Sequence, residues 1–497
     1  MTAGLGIAGR REAHGGPWPA LRVDERTWRG VSLRLAADDL SLLALWGDSG
    51  SVRMVVMGEA GDAAMLVLPC PDGRYPSVGA VHPPAIRLER ALFDLHGLVA
   101  EGAVDTRPWL DHGRWAQRHP LGRASPSAGP APYAFLAAEG ESLHQIPVGP
   151  VHAGIIEPGH FRFTASGETV VRLEERLGYV HRGVEGLIAG APIERAARLA
   201  ARVSGDSTVA YAIAFARAVE AALGMEAPPR AAWLRALMAE LERLANHLGD
   251  IGAICNDASF SLMHAHTGVL REGVLRAADR AFGHRLMMDV VVPGGVAVDA
   301  SDASIRNLGD LATAIRTRVA MLTDVYDDTA SLQDRTVSTG FAAPELVARF
   351  AAGGFVGRAS GRDFDVRRAF AYPPYDRLAF EVPVRSDGDV NARVWIRLDE
   401  VNASLSLIEQ ILTGLPSGAV LTPLSDRSGE GSALVEGFRG DVLAWVRIAG
   451  GLVQHAHLRD PSWFQWPLLE ACIEGSIVAD FPLCNKSFNC SYAGVDL

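Results

Sequence analysis

Over the first hundred residues the apolar positions come in short blocks; beyond about residue 140 they spread into three- and four-residue steps. VRMVVMGEA and AAMLVLPC read as two strands joined by a turn at Gly61 and Asp62. AIRLERALFDLHGLVA has helical spacing and runs into a turn at Gly97. In PPRAAWLRALMAELERLANHLGDIGAICND, Leu234, Leu237, Met238, Leu241, Leu244, Leu248 and Ile251 form one apolar stripe that opens at Pro228 and Pro229. ERAARLAARVSGDSTVAYAIAFARAVEAAL is rich in Ala, Leu and Arg and also reads as helical. Further helices are predicted over 302–326 and 397–414, set apart by the Gly-rich VVPGGVAVDAS and GFVGRASGRDF. Between the two regimes lies QRHPLGRASPSAGPAPYAFLAAEG, residues 117–140, whose composition predicts a linker or an extended crossing segment. The expected fold class is α+β: a small α/β N-terminal domain over 1–116, a linker over 117–142 and a mostly helical domain over 143–497.

Composition narrows the function. At 497 residues, 48% apolar and 21% charged, the chain has enough material for two folded cores. A net charge of −11 argues against a general nucleic-acid binder, which needs a basic face. The opening MTAGLGIAGRREAHGG does not read as a secretory leader. The most apolar long stretch, STVAYAIAFARAVEAALGM, is interrupted by Arg217 and Glu220, so no membrane span is expected. The five cysteines are odd in number and scattered, which points to a reducing compartment rather than a disulfide framework.

Five stretches concentrate chemistry. IPVGPVHAGIIEPGHFRF carries His152, Glu157, His160 and Arg162 on a Gly/Pro-shaped segment, either a proton-handling loop or a plain β-hairpin. LGYVHRGVEGL places His181, Arg182 and Glu185 at helical spacing, which favours an internal salt bridge. ELERLANHLGDIGAICND brings Glu240, Arg243 and His247 near one another, with Asp250 and Asp257 beyond. GFVGRASGRDFDVRR surrounds Arg358, Arg362, Asp363 and Asp365 with small residues, as an anion site or a surface ion-pair cluster. The tail FPLCNKSFNCSYAGVDL holds Cys484 and Cys490 six residues apart, with no C-x-x-C pair anywhere, so spacing alone gives a weak metal signal.

In their order, GPVHAGIIEPGHFRF, LGYVHRGVE, ELERLANHL, GRASGRDFDVRR and GDVNARVWIRLDE resemble one superfamily. It comprises the large subunits of membrane-bound [NiFe] hydrogenases of the hydrogenase-4 and formate hydrogenlyase type and the 49-kDa subunit of respiratory complex I. Upstream, IRLERALFDLHGL resembles the 30-kDa complex I subunit, which hydrogenase-4-type large subunits carry fused at the N-terminus. The resemblance implies a 30-kDa-like domain over 1–116 and a 49-kDa-like, hydrogenase-large-subunit-like domain over 143–497. It implies no cofactor bound directly by this chain, with an iron–sulfur cluster in a small partner subunit and quinone as a candidate ligand. It also implies antiporter-like membrane partners, with the complex on the cytoplasmic side of the inner membrane.

The hydrogenases hold nickel and iron through two C-x-x-C pairs. Here ARVSGDSTVAYA puts Ser204 where the first cysteine would stand and lacks the second; Cys490 and Ala493 fall on the second pair. Serine and alanine do not replace soft thiolates, so an active [NiFe] hydrogenase is rejected. The complex I quinone tyrosine falls at Gly205, and the family's buried aspartate at Asp257, ten residues after His247. Glu157 occupies the hydrogenases' proton-relay position. The resemblance thus makes Glu157 and Asp257 protonatable residues, and His152, His160, Arg162 and Asp257 acceptor contacts. Asn485, Lys486 and Asn489 are expected to supply polar contacts in the former metal cavity. The implied function is electron transfer to quinone or a similar acceptor coupled to ion translocation; the alternative is a non-catalytic coupling subunit of the same type of complex.

Overall fold

The structure, a computed structural model, describes residues 4–48, 50–127, 129–153 and 156–497. The N-terminal sheet has the order β1 (Arg10–Glu12), β2 (Ala20–Arg22), β5 (Ala63–Pro69), β4 (Ser51–Gly58) and β3 (Leu40–Asp48). β2 and β5 are parallel and the other pairs antiparallel. The expected turn joins β4 to β5, with Gly61 at φ 79°. Two helices cover one face: α1 (Glu25–Ala36), capped by the Asp24 carboxylate on the Thr27 N–H, and α2 (Ile86–His96), closed by a left-handed Gly97.

The opposite face of this sheet is buried against the rest of the chain. Trp46 packs on Trp445 and stacks on His457, with ring centroids 5.9 and 4.8 Å apart. Arg53 and Arg447 bridge Asp48 and Glu430 across the same boundary. The two parts therefore share a core rather than hanging on a free linker. The proline-rich crossing segment lies on the surface, pinned where Tyr133 lies under the Arg107 and Arg176 guanidinium groups and Phe135 under Arg162.

A three-stranded antiparallel sheet follows: β6 (Leu143–Val148), β7 (His160–Ser166) and β8 (Thr169–Arg176). The helical stretch after it breaks at VSGDS, which separates a short helix, Ile193–Ala200, from α3 (Thr208–Leu223). α4 (Pro229–Asp257) is the long striped helix; α5 (Ser261–Phe282), α6 (Asp302–Asp328) and α7 (Val390–Gly414) complete the bundle. α7 starts seven residues before the predicted 397, because Asp389 caps it through the Ala392 N–H at 2.7 Å.

The second half is not purely helical. β9 (Gly429–Gly437), β10 (Gly440–Ala449) and β11 (Leu452–Arg459) form an antiparallel sheet under α3. Gly431 lets α3 lie directly on that sheet, since a Cβ there would stand 2.3 Å from the Ala218 carbonyl oxygen. The chain closes with α8 (Ser462–Cys472), α9 (Phe481–Phe488) and α10 (Tyr492–Asp496), which pack against β7 and β8 and against α4. Among the described residues no helix is long and apolar enough to cross a membrane.

Candidate functional site

β6 and β7 do form a hairpin, and its long connection over 149–159 also carries the candidate residues. This loop overhangs the tail helices. Gly159 is needed at the closest approach, where a Cβ would stand 2.5 Å from Cε1 of Tyr492. Between loop, tail and the end of α4 lies a cavity of about 300 Å³, lined by Val148, Phe161 and Phe481 on its apolar side. Its polar side is His152, Asp257, Asn485, Lys486, Asn489 and Tyr492, with Cys490 at the floor.

Two polar atoms at this cavity have no protein partner. His152 Nε2 is buried without a hydrogen bond, and burial lowers the basicity of the ring. The Tyr492 hydroxyl is also buried and lacks a well-formed hydrogen bond; its nearest polar neighbour is the Asn485 side chain. Burial raises its pKa well above the ordinary phenol value. Unsatisfied buried polar groups cost about 1–3 kcal/mol each, so these two atoms are suited to meet a ligand.

The sequence-derived residues divide. His152 and Asp257 line the cavity, and Glu157 sits beside it, its Oε2 accepting the Ala493 N–H at 3.0 Å. His160 and Arg162 do not line it. Alternation along β7 sends Phe161 to the cavity and its two neighbours to the other face. There Arg162 Nε donates to His160 Nε2 at 3.3 Å, and both side chains pack on Phe135. Asp257 is not a buried aspartate: it stands exposed at the end of α4. Partial desolvation still raises its carboxyl above the ordinary value, opposed by Lys486 and His264.

Ser204 and the stretch around Cys490, which the resemblance makes former ligand positions, meet in the fold. Ser204 Oγ lies 3.1 Å from Ser491 Oγ, next to Cys490. Ion pairs occupy the surroundings. Arg439 holds Asp206 through two contacts of 2.8 and 2.5 Å and donates to the Asn489 carbonyl. Asn489 Nδ2 donates to both Asp250 oxygens, and Asp250 is paired with Arg397. Asn489 sits in a left-handed turn at φ 46°, which lets the tail reach these partners. The donor set does not fit a nickel–iron centre. Only Cys490 keeps a thiol, and burial pushes its pKa well above the ordinary value, away from thiolate. Among the described residues no three His, Cys, Asp or Glu side chains are grouped to hold a metal. Cys490→Ser should therefore change stability by about 1 kcal/mol or less and leave turnover intact, as a melting curve and an activity assay on the purified complex would show.

Other motifs resolved differently from their spacing. The residues before Val184 are not helical, so His181, Arg182 and Glu185 make no internal salt bridge. His181 Nδ1 bonds the Asp496 carbonyl at 2.6 Å, Arg182 the Val203 carbonyl, and Glu185 pairs with His457. Arg358 and Asp365 belong to a fully buried lattice with Glu400, Glu436 and Arg367, while only Arg368–Asp363 is an exposed pair. Glu240, Arg243 and His247 join the same lattice, since Glu400 accepts from His247 at 2.7 Å.

Sequence reasoning missed Tyr492 and Asp496. Asp496 is fully buried and accepts the Gly178 and Val180 N–H groups at 2.8 and 3.0 Å. Burial, helped by Glu157, pushes its carboxyl up to about 7. The only signal for both was their place in the tail already suspected of closing a cavity.

A helical body with an appended sheet domain, its tail closed against the hairpin loop, is the architecture that the comparisons place among the large subunits of membrane redox complexes. Residues 259–428 match the respiratory-chain NADH dehydrogenase 49 Kd subunit family, and residues 53–131 the 30 Kd subunit family. Formate hydrogenlyase subunit 5 of Escherichia coli is 31% identical over 85% of this chain and 77% of its own length. An NADH-quinone oxidoreductase subunit of Desulfotalea psychrophila is 31% identical over 67% of this chain and 91% of its own. A chain of the membrane-bound sulfane sulfur reductase, an archaeal respiratory membrane complex, superposes with a TM-score of 0.68 at 26% identity, covering 72% of this chain and 99% of that one. The protein belongs to the family of [NiFe]-hydrogenase large subunits and complex I 49-kDa subunits, in the form that carries a fused 30-kDa-type domain.

Proposed function

We propose that this chain is the large subunit of a membrane-associated, energy-converting complex related to hydrogenases and to NADH-quinone oxidoreductase. In this reading, electrons arrive from an iron–sulfur cluster in a small partner subunit and reach quinone or a similar small acceptor in the tail cavity. Antiporter-like membrane subunits would couple that transfer to ion movement. The carrying observation is the cavity itself: Cys490 lines it, and it presents His152 Nε2 and the Tyr492 hydroxyl without well-formed protein partners. Glu157 and Asp496 lie behind it as a carboxyl pair for proton supply, Asp496 titrating at about 7.

The reading is tested by reducing the purified complex with dithionite and following its oxidation by a short-chain ubiquinone analogue. Oxidation should saturate with quinone, and His152→Leu should raise KM about tenfold, the loss of one hydrogen bond to a bound ligand. A complex that reduces no quinone, with or without the substitution, would favour the coupling-subunit reading, which the ion pairs filling the former metal surroundings support.

A further inference from the structure

Of the 47 lysine and arginine residues in this chain, all but one are arginine. The single lysine is Lys486. Thirteen of the 497 residues line the tail cavity, and Lys486 is among them. A chain that uses arginine at every other basic side chain keeps its one lysine at the proposed acceptor site.

The two cations are not equivalent there. Guanidinium is a wide planar fork, suited to the carboxylates that Arg358, Arg397 and Arg439 hold in this protein. Ammonium is a compact point charge with three donors, which reaches into a small space without filling it. The cavity, at about 300 Å³, is at the small end of the range for small-molecule pockets and has room for one substituted ring. Among the described residues Lys486 makes no ion pair within 4 Å and no side-chain hydrogen bond, so its charge is not consumed by the fold. Asp257 is the carboxylate that faces it from the exposed end of α4, its desolvation partly offset by the Lys486 charge. A role at the C-terminal end of α9 alone would be met equally by arginine.

We propose that Lys486 is the cationic contact of the acceptor, and that it selects a neutral carbonyl-bearing acceptor of quinone type, whose oxygen becomes an oxyanion as electrons enter. The inference rests on reading the cavity as the acceptor site. Two electrons from the partner's iron–sulfur cluster and two protons turn the two carbonyl oxygens into hydroxyls. The ammonium is not consumed; it stabilises the oxyanion before the protons arrive. His152 and Tyr492 bear on the same ring from the loop and from α10.

The test compares Lys486→Met and Lys486→Arg in the purified, dithionite-reduced complex with two acceptors. The short-chain ubiquinone analogue gains negative charge on reduction; methyl viologen is a dication that loses positive charge and does not need an ammonium. Lys486→Met should slow quinone reduction about a hundredfold, the low end of the range for removing one oxyanion donor, and leave viologen reduction within about twofold. Lys486→Arg should recover part of the quinone rate. Because the chain has one lysine, acylation with N-acetoxysuccinimide read by peptide mass spectrometry gives an independent signal: quinone should protect Lys486. Normal quinone kinetics in Lys486→Met, equal losses with both acceptors, or no protection of Lys486 would each overturn the proposal. If wild-type complex reduced no quinone at all, the acceptor reading itself would fall, a result distinct from a Lys486→Met that works normally.

Discussion

Glu157→Gln should lower quinone reduction by the purified complex about a hundredfold, within the range for loss of a positioned acid–base group, and leave the melting temperature almost unchanged. Both halves follow from one geometry. Glu157 is solvent-exposed, and its carboxylate caps the Ala493 N–H, which a glutamine carbonyl accepts equally well. The helix end stays capped while the exchangeable proton is lost. With Glu157 gone, the fully buried Asp496 carboxyl behind it loses its carboxyl neighbour on the solvent side and with it part of the push that raises it to about 7. The residual rate should therefore fall further as pH rises and Asp496 loses its proton, at a pH below about 7 because burial alone now raises its carboxyl. Stopped-flow oxidation of reduced complex from about pH 6 to 8, spanning that titration, separates this from misfolding. An unchanged rate in Glu157→Gln would remove Glu157 from the mechanism.

Arg358→Met should destabilise the protein by roughly 3–5 kcal/mol, the usual cost of breaking a buried ion pair by removing one partner. Arg358 donates to Glu400 at 2.9 and 2.6 Å and to Glu436 at 2.9 Å, and lies 3.4 Å from Asp365, with every group fully buried. Burial alone would raise the Glu400 carboxyl; Arg358 and His247 hold it well below its ordinary value instead. Glu436 is already pushed up to about 7 by burial and by Asp365. Without the guanidinium, neighbouring carboxyls must take protons to remain buried. The variant should therefore unfold at lower denaturant at about pH 8 and recover part of the loss at about pH 5.5, where those carboxyls protonate more easily. A pH-independent loss of about 1 kcal/mol would mean that the lattice contributes no more than a surface pair.

The long helices were legible because their buried faces repeat at helical steps, as in α4, and because Asp389 and Gly97 mark ends by known capping chemistry. The sheet β9–β11 was not. β9 and β10 are buried along nearly their whole length, so the polar–apolar alternation that reveals a half-exposed strand is missing. In the site, the motif order pointed to the segments that carry His152, Glu157, Ser204 and Cys490, and the fold brings those segments near one another. His160 and Arg162 did not, because a motif names neighbours in sequence while β7 sends neighbours to opposite faces. Asp257 was placed by its distance from His247, yet α4 ends there and leaves it in solvent. Tyr492, Asp496 and the Asp206–Arg439 pair join segments hundreds of residues apart, a proximity that no local pattern records.

The central proposal is that Ser204, Ala493 and a set of ion pairs stand where the family's metal centre would be, beside a cavity proposed to take an organic acceptor. The decisive measurement is joint quantification of nickel and iron in the purified, active complex. Preparations that reduce quinone should hold iron in the amounts their iron–sulfur partners require and no nickel above background. Stoichiometric nickel that rises and falls with activity would contradict the replacement.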